Sequence, residues 1–135
     1  MISPLLDTHA WIWYVADPPK LERRELETLA SLEPDNCPFI SDFSLWEVVT
    51  LFSLGRIRLR PTLEEWLLSA ARPGVVRILP LSVEIAIELA SLPDSLHRDP
   101  ADRAIIATAR VHHLPLLTRD RSILSSGLVQ RWKPR

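Results

Sequence analysis

Short apolar segments of strand length alternate along this chain with longer segments of helical periodicity. That order is typical of βαβ units, in which successive strands lie parallel in one sheet and a helix connects them. The predicted strands are residues 4–6, 38–41, 75–79 and 115–117, with 128–130 as a last edge strand. The pattern therefore predicts an α/β fold built on a parallel sheet.

The predicted helices are residues 8–16, 21–32, 43–54, 63–71, 83–91 and 101–111. Asp17 and the two prolines after it end the first helix, and residues 96–100 form a loop because Pro100 disfavours helical geometry before it. The helix 21–32 is amphipathic, and we expect its charges (Glu22, Arg23, Arg24, Glu25, Glu27) to face solvent. The helix 43–54 is expected to be largely buried and to stop at Gly55.

The chain has 135 residues, which predicts a single domain over 1–135. Hydrophobic residues make up 47% and charged residues 24%, as in an ordinary globular protein. It contains neither a bilayer-spanning apolar run nor a signal-peptide pattern, so we expect a cytoplasmic protein. The lone Cys37 excludes an internal disulfide and a cysteine-based zinc site, and is expected to be buried.

Acidic residues follow the predicted strands. Asp7 ends the first strand, Glu47 lies one turn into the helix after the second, and Asp120 follows the strand 115–117. Asp99 and Asp102 stand at the start of the long C-terminal helix. Since ligands bind outside the carboxyl ends of parallel strands, and the next helices start there, these acids are predicted to share one edge of the sheet.

Each acid also has a purely structural explanation. Asp7, Asp99 and Asp120 are suited to capping a following helix or turn, and Ser44 with Glu47 fits a capping box. Clustered carboxylates, however, repel each other unless a cation lies among them. Oxygen-only ligands favour Mg²⁺ or Mn²⁺, whereas zinc would call for histidine or cysteine. Both explanations stay open for each residue taken alone.

Basic residues surround the later acids. All but two of the 16 basic residues are arginine, a side chain suited to bidentate phosphate contacts. Four of them are candidate substrate-binding residues, with ordinary surface arginines as the alternative: Arg98, Arg103, Arg119 and Arg121. This arrangement is consistent with a metal site that acts on a phosphate polymer.

Four motifs, LLDTHAWIW, SDFSLWEVV, HRDPADRAIIATAR and LPLLTRD, occur in this order. Together they closely resemble PIN-domain ribonucleases of the kind found as VapC-type toxins in bacterial toxin–antitoxin pairs. The resemblance covers essentially the whole chain. It implies a Rossmann-like three-layer α/β/α sandwich with a central parallel sheet, and an acidic site that holds one or two Mg²⁺ or Mn²⁺ ions.

Carried over by position, the resemblance implies four catalytic and metal-binding residues: Asp7, Glu47, Asp102 and Asp120. Asp99, Thr118 and Thr8 are implied as supporting residues, and Ala101 replaces the bulky aromatic that relatives often carry. The implied reaction is hydrolysis of RNA to products with a 5′-phosphate and a 3′-hydroxyl. The implied partners are a second copy of the chain and a VapB-like antitoxin.

Several other residues are open to more than one interpretation. His9 and Trp13 are candidate substrate contacts, with packing as the alternative for His9. Trp11, Trp46 and Trp66 are expected in the core or a dimer interface. Trp132 lies in a basic tail, residues 131–135, for which simple fraying is one interpretation. The adjacent His112 and His113 suit a helix C-terminus better than a metal site.

Three other functional classes compete with a nuclease. A phospho-acceptor domain would need a lysine near the site, and Lys20 and Lys133 are poorly placed for it. A dehalogenase-like phosphatase would need a second Asp at the position of His9. A catalytically silent PIN-like binding or assembly module is the strongest alternative, although the presence of all four acids argues against it.

Overall fold

The computed structural model describes residues 2–16, 18–96 and 98–135, so the predictions made at Asp17 and His97 lie outside the described residues. Within these ranges four strands and seven α-helices form. In chain order the elements are β1 (Leu5–Leu6), α1 (Thr8–Val15), α2 (Arg23–Ala30), β2 (Phe39–Ser41), α3 (Asp42–Ser53), α4 (Leu63–Ala70), β3 (Arg77–Leu79), α5 (Val83–Ser91), α6 (Pro100–His112), β4 (Leu116–Leu117) and α7 (Arg121–Ser125). None of the helices in the described ranges has the length and apolarity needed to cross a bilayer.

The four strands form one parallel sheet in the order β3-β2-β1-β4. The register places Leu6 beside Ile40 on one side and beside Leu117 on the other. Parallel strands require crossover connections, and helices provide them here. The predicted parallel sheet and its first four strands are confirmed, with the third beginning at Arg77 rather than at residue 75.

Alternate strand residues point to opposite faces of the sheet. Leu6, Ile40 and Leu117 enter a core cluster with Trp11 of α1. Leu5 and Leu116 enter a second cluster with residues of α5, α6 and α7. Two cores on the two faces of one sheet make a three-layer α/β/α sandwich, as the resemblance implied.

The predicted edge strand at 128–130 is placed slightly too early along the chain, since Gln130 is the first of its residues to bond to β4. The chain instead meets β4 slightly later, in a single parallel bridge between Leu116 and Arg131. The backbone of Leu128 is engaged elsewhere, because its N–H donates to Ser126 Oγ and its carbonyl accepts from Arg110 Nη1. Those turn contacts prevent Leu128 from joining the sheet.

The C-terminal segment is docked, which excludes the interpretation of residues 131–135 as a frayed tail. The Trp132 backbone N–H donates to the Leu116 carbonyl at 2.9 Å, and its indole lies buried in the first core cluster. Further along, the Arg135 N–H donates to Thr28 Oγ1 at 3.1 Å, and Arg24 Nε donates to the backbone oxygen of Arg135 at 3.2 Å. These contacts attach the segment to α2.

The predicted capping box at Ser44 and Glu47 is wrong because α3 begins earlier. Its N-cap is Ser41, whose side chain accepts from the Phe43 N–H at 3.1 Å. Ser44 therefore lies inside the helix and makes a 2.9 Å hydrogen bond to Thr8 Oγ1 of α1. The Glu47 side chain has no capping role and faces the sheet edge.

Two burial predictions also fail. In α3 only Ser44 and Val48 are buried, since the sandwich covers one face of this helix, and Trp46 is 54% exposed. In α2, Glu25 does not face solvent but is 4% exposed, because a distant arginine pairs with it.

Candidate active site

The acidic residues gather at the carboxyl edge of the sheet. Asp7 follows β1 directly, Glu47 projects from α3 after β2, and Asp120 follows β4 after two intervening residues. Asp99 and Asp102 reach the same edge from the start of α6. We call these five residues the acidic cluster.

Three carboxylates of the acidic cluster come closest together. Glu47, Asp99 and Asp102 each offer an oxygen, and these oxygens all lie within 4.8 Å of one another. Asp99 also caps α6, since its Oδ1 accepts from the Asp102 N–H at 3.0 Å. Sequence reasoning assigned Asp99 a supporting role, whereas the geometry places its carboxylate among the potential ligands.

Asp7 and Asp120 form the other part of the acidic cluster. Asp7 Oδ1 caps α1 by accepting from the Ala10 N–H at 2.8 Å. Asp120 Oδ1 caps α7 by accepting from the N–H groups of Ser122 and Ile123. The buried Thr118 lies between the two acids, and its Oγ1 accepts from the Asp120 N–H at 3.1 Å. Helix capping therefore fixes both carboxylates in place.

Burial and mutual repulsion alter the acidity of two of these residues. Burial raises the pKa of Asp7, the Asp120 charge raises it further, and Thr118, the Ala10 N–H and His9 oppose the rise. Burial likewise raises the pKa of Glu47, the charges of Asp99 and Asp7 add to it, and Thr8 and His9 oppose it. The carboxylates of the acidic cluster therefore interact electrostatically with one another, as expected for a single site.

The donor set fits a hard divalent cation. Every candidate ligand is a carboxylate oxygen, which is the ligand class that Mg²⁺ and Mn²⁺ prefer. Glu47 Oε1 is buried and has no hydrogen-bond partner among the described residues. A buried carboxylate oxygen without a partner is costly, and a bound cation would satisfy it.

Two of the four candidate arginines already have partners within the protein. Arg119 forms a bidentate ion pair with the buried Glu25, with Nη1–Oε2 and Nη2–Oε1 distances of 2.9 and 2.5 Å. Arg103 donates to the carbonyls of Leu92, Pro93 and Leu96. Arg98 and Arg121 are exposed. Their role as substrate contacts stays a prediction.

The other candidate contacts lie beside the cluster. His9 is exposed and its ring centroid lies 5.8 Å from that of the half-buried Trp13. Sequence reasoning missed two residues that support the site, Ser44 and Glu25. Ser44 was assigned to a helix cap, and no local signal links Glu25 to a partner 94 residues away.

Comparison with known proteins gives a consistent result. The profile of the PIN domain family matches residues 5–125. The chain is 32% identical to Ribonuclease VapC22 of Mycobacterium tuberculosis over 125 residues, which cover 93% of this chain and 92% of that protein.

Similar solved structures include VapBC2 from Rickettsia felis bound to a promoter DNA fragment, with a TM-score of 0.69 and 15% identity over 97% of this chain and 98% of that one. FitAcB from Neisseria gonorrhoeae has a TM-score of 0.64 and 24% identity, covering 96% of each chain. At these identities the structural matches support the fold alone.

Proposed function

Since the chain belongs to the PIN-domain family, we propose that it is a metal-dependent endoribonuclease and the toxin of a toxin–antitoxin pair. The observation that carries this proposal is the grouping of Glu47, Asp99 and Asp102 within 4.8 Å at the carboxyl edge of the sheet. The relative named as a ribonuclease supports the choice of RNA as substrate. The family match over residues 5–125 supports one PIN domain spanning 1–135.

We propose Mg²⁺ or Mn²⁺ as the metal, in one or two copies, held by Asp7, Glu47, Asp102 and Asp120 with Asp99 beside them. When bound, such an ion supplies a more acidic water and neutralises charge that develops on the phosphodiester. The chain's own contribution is a rigid set of carboxylates. Helix caps fix Asp7, Asp99 and Asp120, and Glu47 projects from a helix held to α1 through Thr8 and Ser44.

The partners belong to the same proposal. The similar solved structures include a toxin–antitoxin complex from Klebsiella pneumoniae, which supports a VapB-like antitoxin as partner here. An RNA substrate and such a partner are both consistent with a cytoplasmic protein.

A homodimer is supported by exposed apolar side chains on α3 and around the start of α5. These are Trp46, Val49, Leu81, Val83 and Ile87, with exposures of 38% to 73%. The Leu81 N–H donates to Asp42 Oδ2 at 2.9 Å, which joins the start of α3 to the segment before α5. We call these five side chains the apolar surface. A second copy of the chain would remove it from water.

The test is a cleavage assay on the purified protein without antitoxin. Structured and single-stranded RNAs are incubated with Mg²⁺, Mn²⁺ or EDTA, using the wild type, Asp7→Asn and Asp102→Asn. Asp35→Asn is the matched control, because Asp35 is exposed and precedes β2, away from the carboxyl edge. We expect metal-dependent cleavage that leaves 5′-phosphates, is lost in the two site variants and is kept in the control.

Two outcomes would contradict the proposal. Cleavage that persists in EDTA, or that survives both site substitutions, would show that the acidic cluster is not the catalytic site. If the wild type cuts none of the RNAs yet still binds a helical antitoxin-like peptide, the silent assembly module becomes the better interpretation.

A further inference from the structure

The acidic cluster alone would repel an RNA backbone. Five carboxylates lie at one edge of the sheet, and two of the four nearby arginines, Arg103 and Arg119, are held by groups of the protein itself. A polyanionic substrate that extends beyond the proposed metal site and the exposed Arg98 and Arg121 needs further positive charge along its path. The described surface offers one concentrated source of it next to the site.

That source is a cleft of about 390 Å³ between α2 and the docked C-terminal segment. Its lining includes four basic side chains, Arg24, Arg119, Arg131 and Lys133, and we call it the cationic cleft. Two acids, Glu22 and Glu25, also line it. Because Arg119 pairs with Glu25 and Arg24 donates to the Arg135 backbone oxygen, Arg131 and Lys133 are the cleft cations that face the remaining acid, Glu22.

The cationic cleft adjoins the active site at Arg119. This residue lines the cleft, while its neighbours in the chain, Thr118 and Asp120, belong to the site. The charge of Asp7 contributes to raising the pKa of Arg119, after the larger effect of Glu25. The cleft therefore begins one residue away from Thr118 and Asp120, at the edge of the site.

The backbone that carries Arg131 and Lys133 is held in place. Trp132 is 5% exposed and anchors the segment, while Arg131 and Lys133 on either side of it are exposed. In extended backbone, residues on either side of a buried one share the opposite face. The contacts of Arg24 and Thr28 with Arg135 fix the far end of the segment. The backbone positions of these cations are therefore fixed before a phosphate binds.

From this geometry we infer that the cationic cleft binds the phosphate backbone of the RNA substrate, with Arg131 and Lys133 as direct contacts. The inference rests on the proposed function and adds the path of the substrate to it. It also gives Arg119 a structural task, which is to neutralise the buried Glu25 and to hold the residue 118–120 loop between the site and the cleft.

The test compares two double variants with the same change in charge. Arg131→Gln with Lys133→Gln removes two cations from the cleft. Arg56→Gln with Arg58→Gln removes two exposed cations beyond the far end of α3, which lies about 9 Å along the helix from Glu47. A fluorescent single-stranded RNA is titrated with each protein in EDTA over a series of KCl concentrations. Cleavage with Mn²⁺ is measured in parallel.

We expect the cleft variant to bind RNA several-fold more weakly, with a salt dependence shallower by about 1.4 in log–log slope, since each lost phosphate contact removes about 0.7. Its KM should rise while kcat stays unchanged. The control should match the wild type. If both double variants share one salt slope and one affinity, the cleft is not the RNA path, even when the wild type cleaves RNA normally.

The same experiment separates this inference from the proposed function. The wild type could bind RNA in a salt-dependent way that the cleft variant loses, yet cleave no RNA. That result would support the cleft as an RNA-binding site and contradict the proposed nuclease activity. The inference fails if the cleft variant binds RNA as tightly as the wild type. If the cleft variant also loses binding of an acidic peptide, the partner of the cleft is a protein.

Discussion

At the scale of single residues, Glu47 links stability to pH. Burial raises the pKa of Glu47 and of Asp7. At pH values just above the ordinary carboxyl pKa, the folded state therefore binds more protons than the unfolded state. The stability that these two groups contribute therefore falls as pH rises through that window. Metal binding would reverse the effect, since it requires the charged form.

Glu47→Gln is expected to raise the melting temperature of the metal-free protein at about pH 7.5 and to change it little at about pH 4, where the native carboxyl is protonated. The metal-dependent cleavage rate of Glu47→Gln should fall by at least about 100-fold, which is the upper end of the losses found when residues around a metal are changed. Thermal unfolding in EDTA checks the first result, with the exposed Glu33→Gln as control. A variant that melts lower than the wild type at the higher pH would show that the charged Glu47 is already well stabilised.

The Glu25–Arg119 ion pair predicts unequal effects of its two partners. Arg119→Ala leaves a carboxylate buried without a counter-charge and should cost about 2 kcal/mol, less than a fully buried pair because the Arg119 side chain is 36% exposed. Glu25→Ala leaves an arginine that water can solvate, and should cost about 1 kcal/mol, including the lost bond to the Glu22 N–H.

Urea unfolding of both variants measures these costs. Glu27→Ala, which breaks an exposed pair with Arg23 on the same helix, serves as the control and should cost less than about 0.5 kcal/mol. Equal losses for the two partners of the Glu25–Arg119 pair would mean that Glu25 is more hydrated than its burial indicates.

At the scale of secondary-structure elements, Asp99 performs two tasks that substitution can separate. Asp99→Ala removes the cap of α6 and should cost about 1 kcal/mol, whereas Asp99→Asn keeps a capping oxygen and should preserve stability. If the Asp99 charge serves the metal, both variants lose metal-dependent cleavage. Full activity in the Asn variant, with Mn²⁺ affinity unchanged, would reduce Asp99 to a helix cap.

The elements themselves were largely predictable from sequence, because local signals determine them. The helix 83–91 has the predicted bounds, and the acids after β1 and β4 lie where parallel strands deliver them. The start of α3 was not predictable, since SDFSLWE offers two serines as caps. The tertiary bond between Ser44 and Thr8 decides between them. Likewise, Asp99 joins Glu47 and Asp102 only because α6 and α3 meet in the fold.

At the scale of the whole molecule, the apolar surface predicts the assembly state. Ile87→Glu places a charge on a side chain that is 66% exposed in the single chain and should convert a dimer to a monomer, because burying that charge at an interface is unfavourable. Leu68→Glu, at a residue 70% exposed on α4, is the control and should stay dimeric.

Light scattering after gel filtration measures both masses. A wild type that is monomeric at micromolar concentration would remove the homodimer from the proposal and leave the apolar surface to the antitoxin. A dimer that survives Ile87→Glu would place the interface elsewhere on the chain.

The capping roles of Asp7, Asp99 and Asp120 also bear on how such a chain changes over generations. Asparagine caps a helix about as well as aspartate, and one base change converts an aspartate codon into an asparagine codon. A lineage could therefore lose its chemistry in one step while every helix start stays intact. The intact fold could then be retained for binding alone. We therefore expect catalytically inactive descendants of this fold to be common and to carry asparagine at these positions.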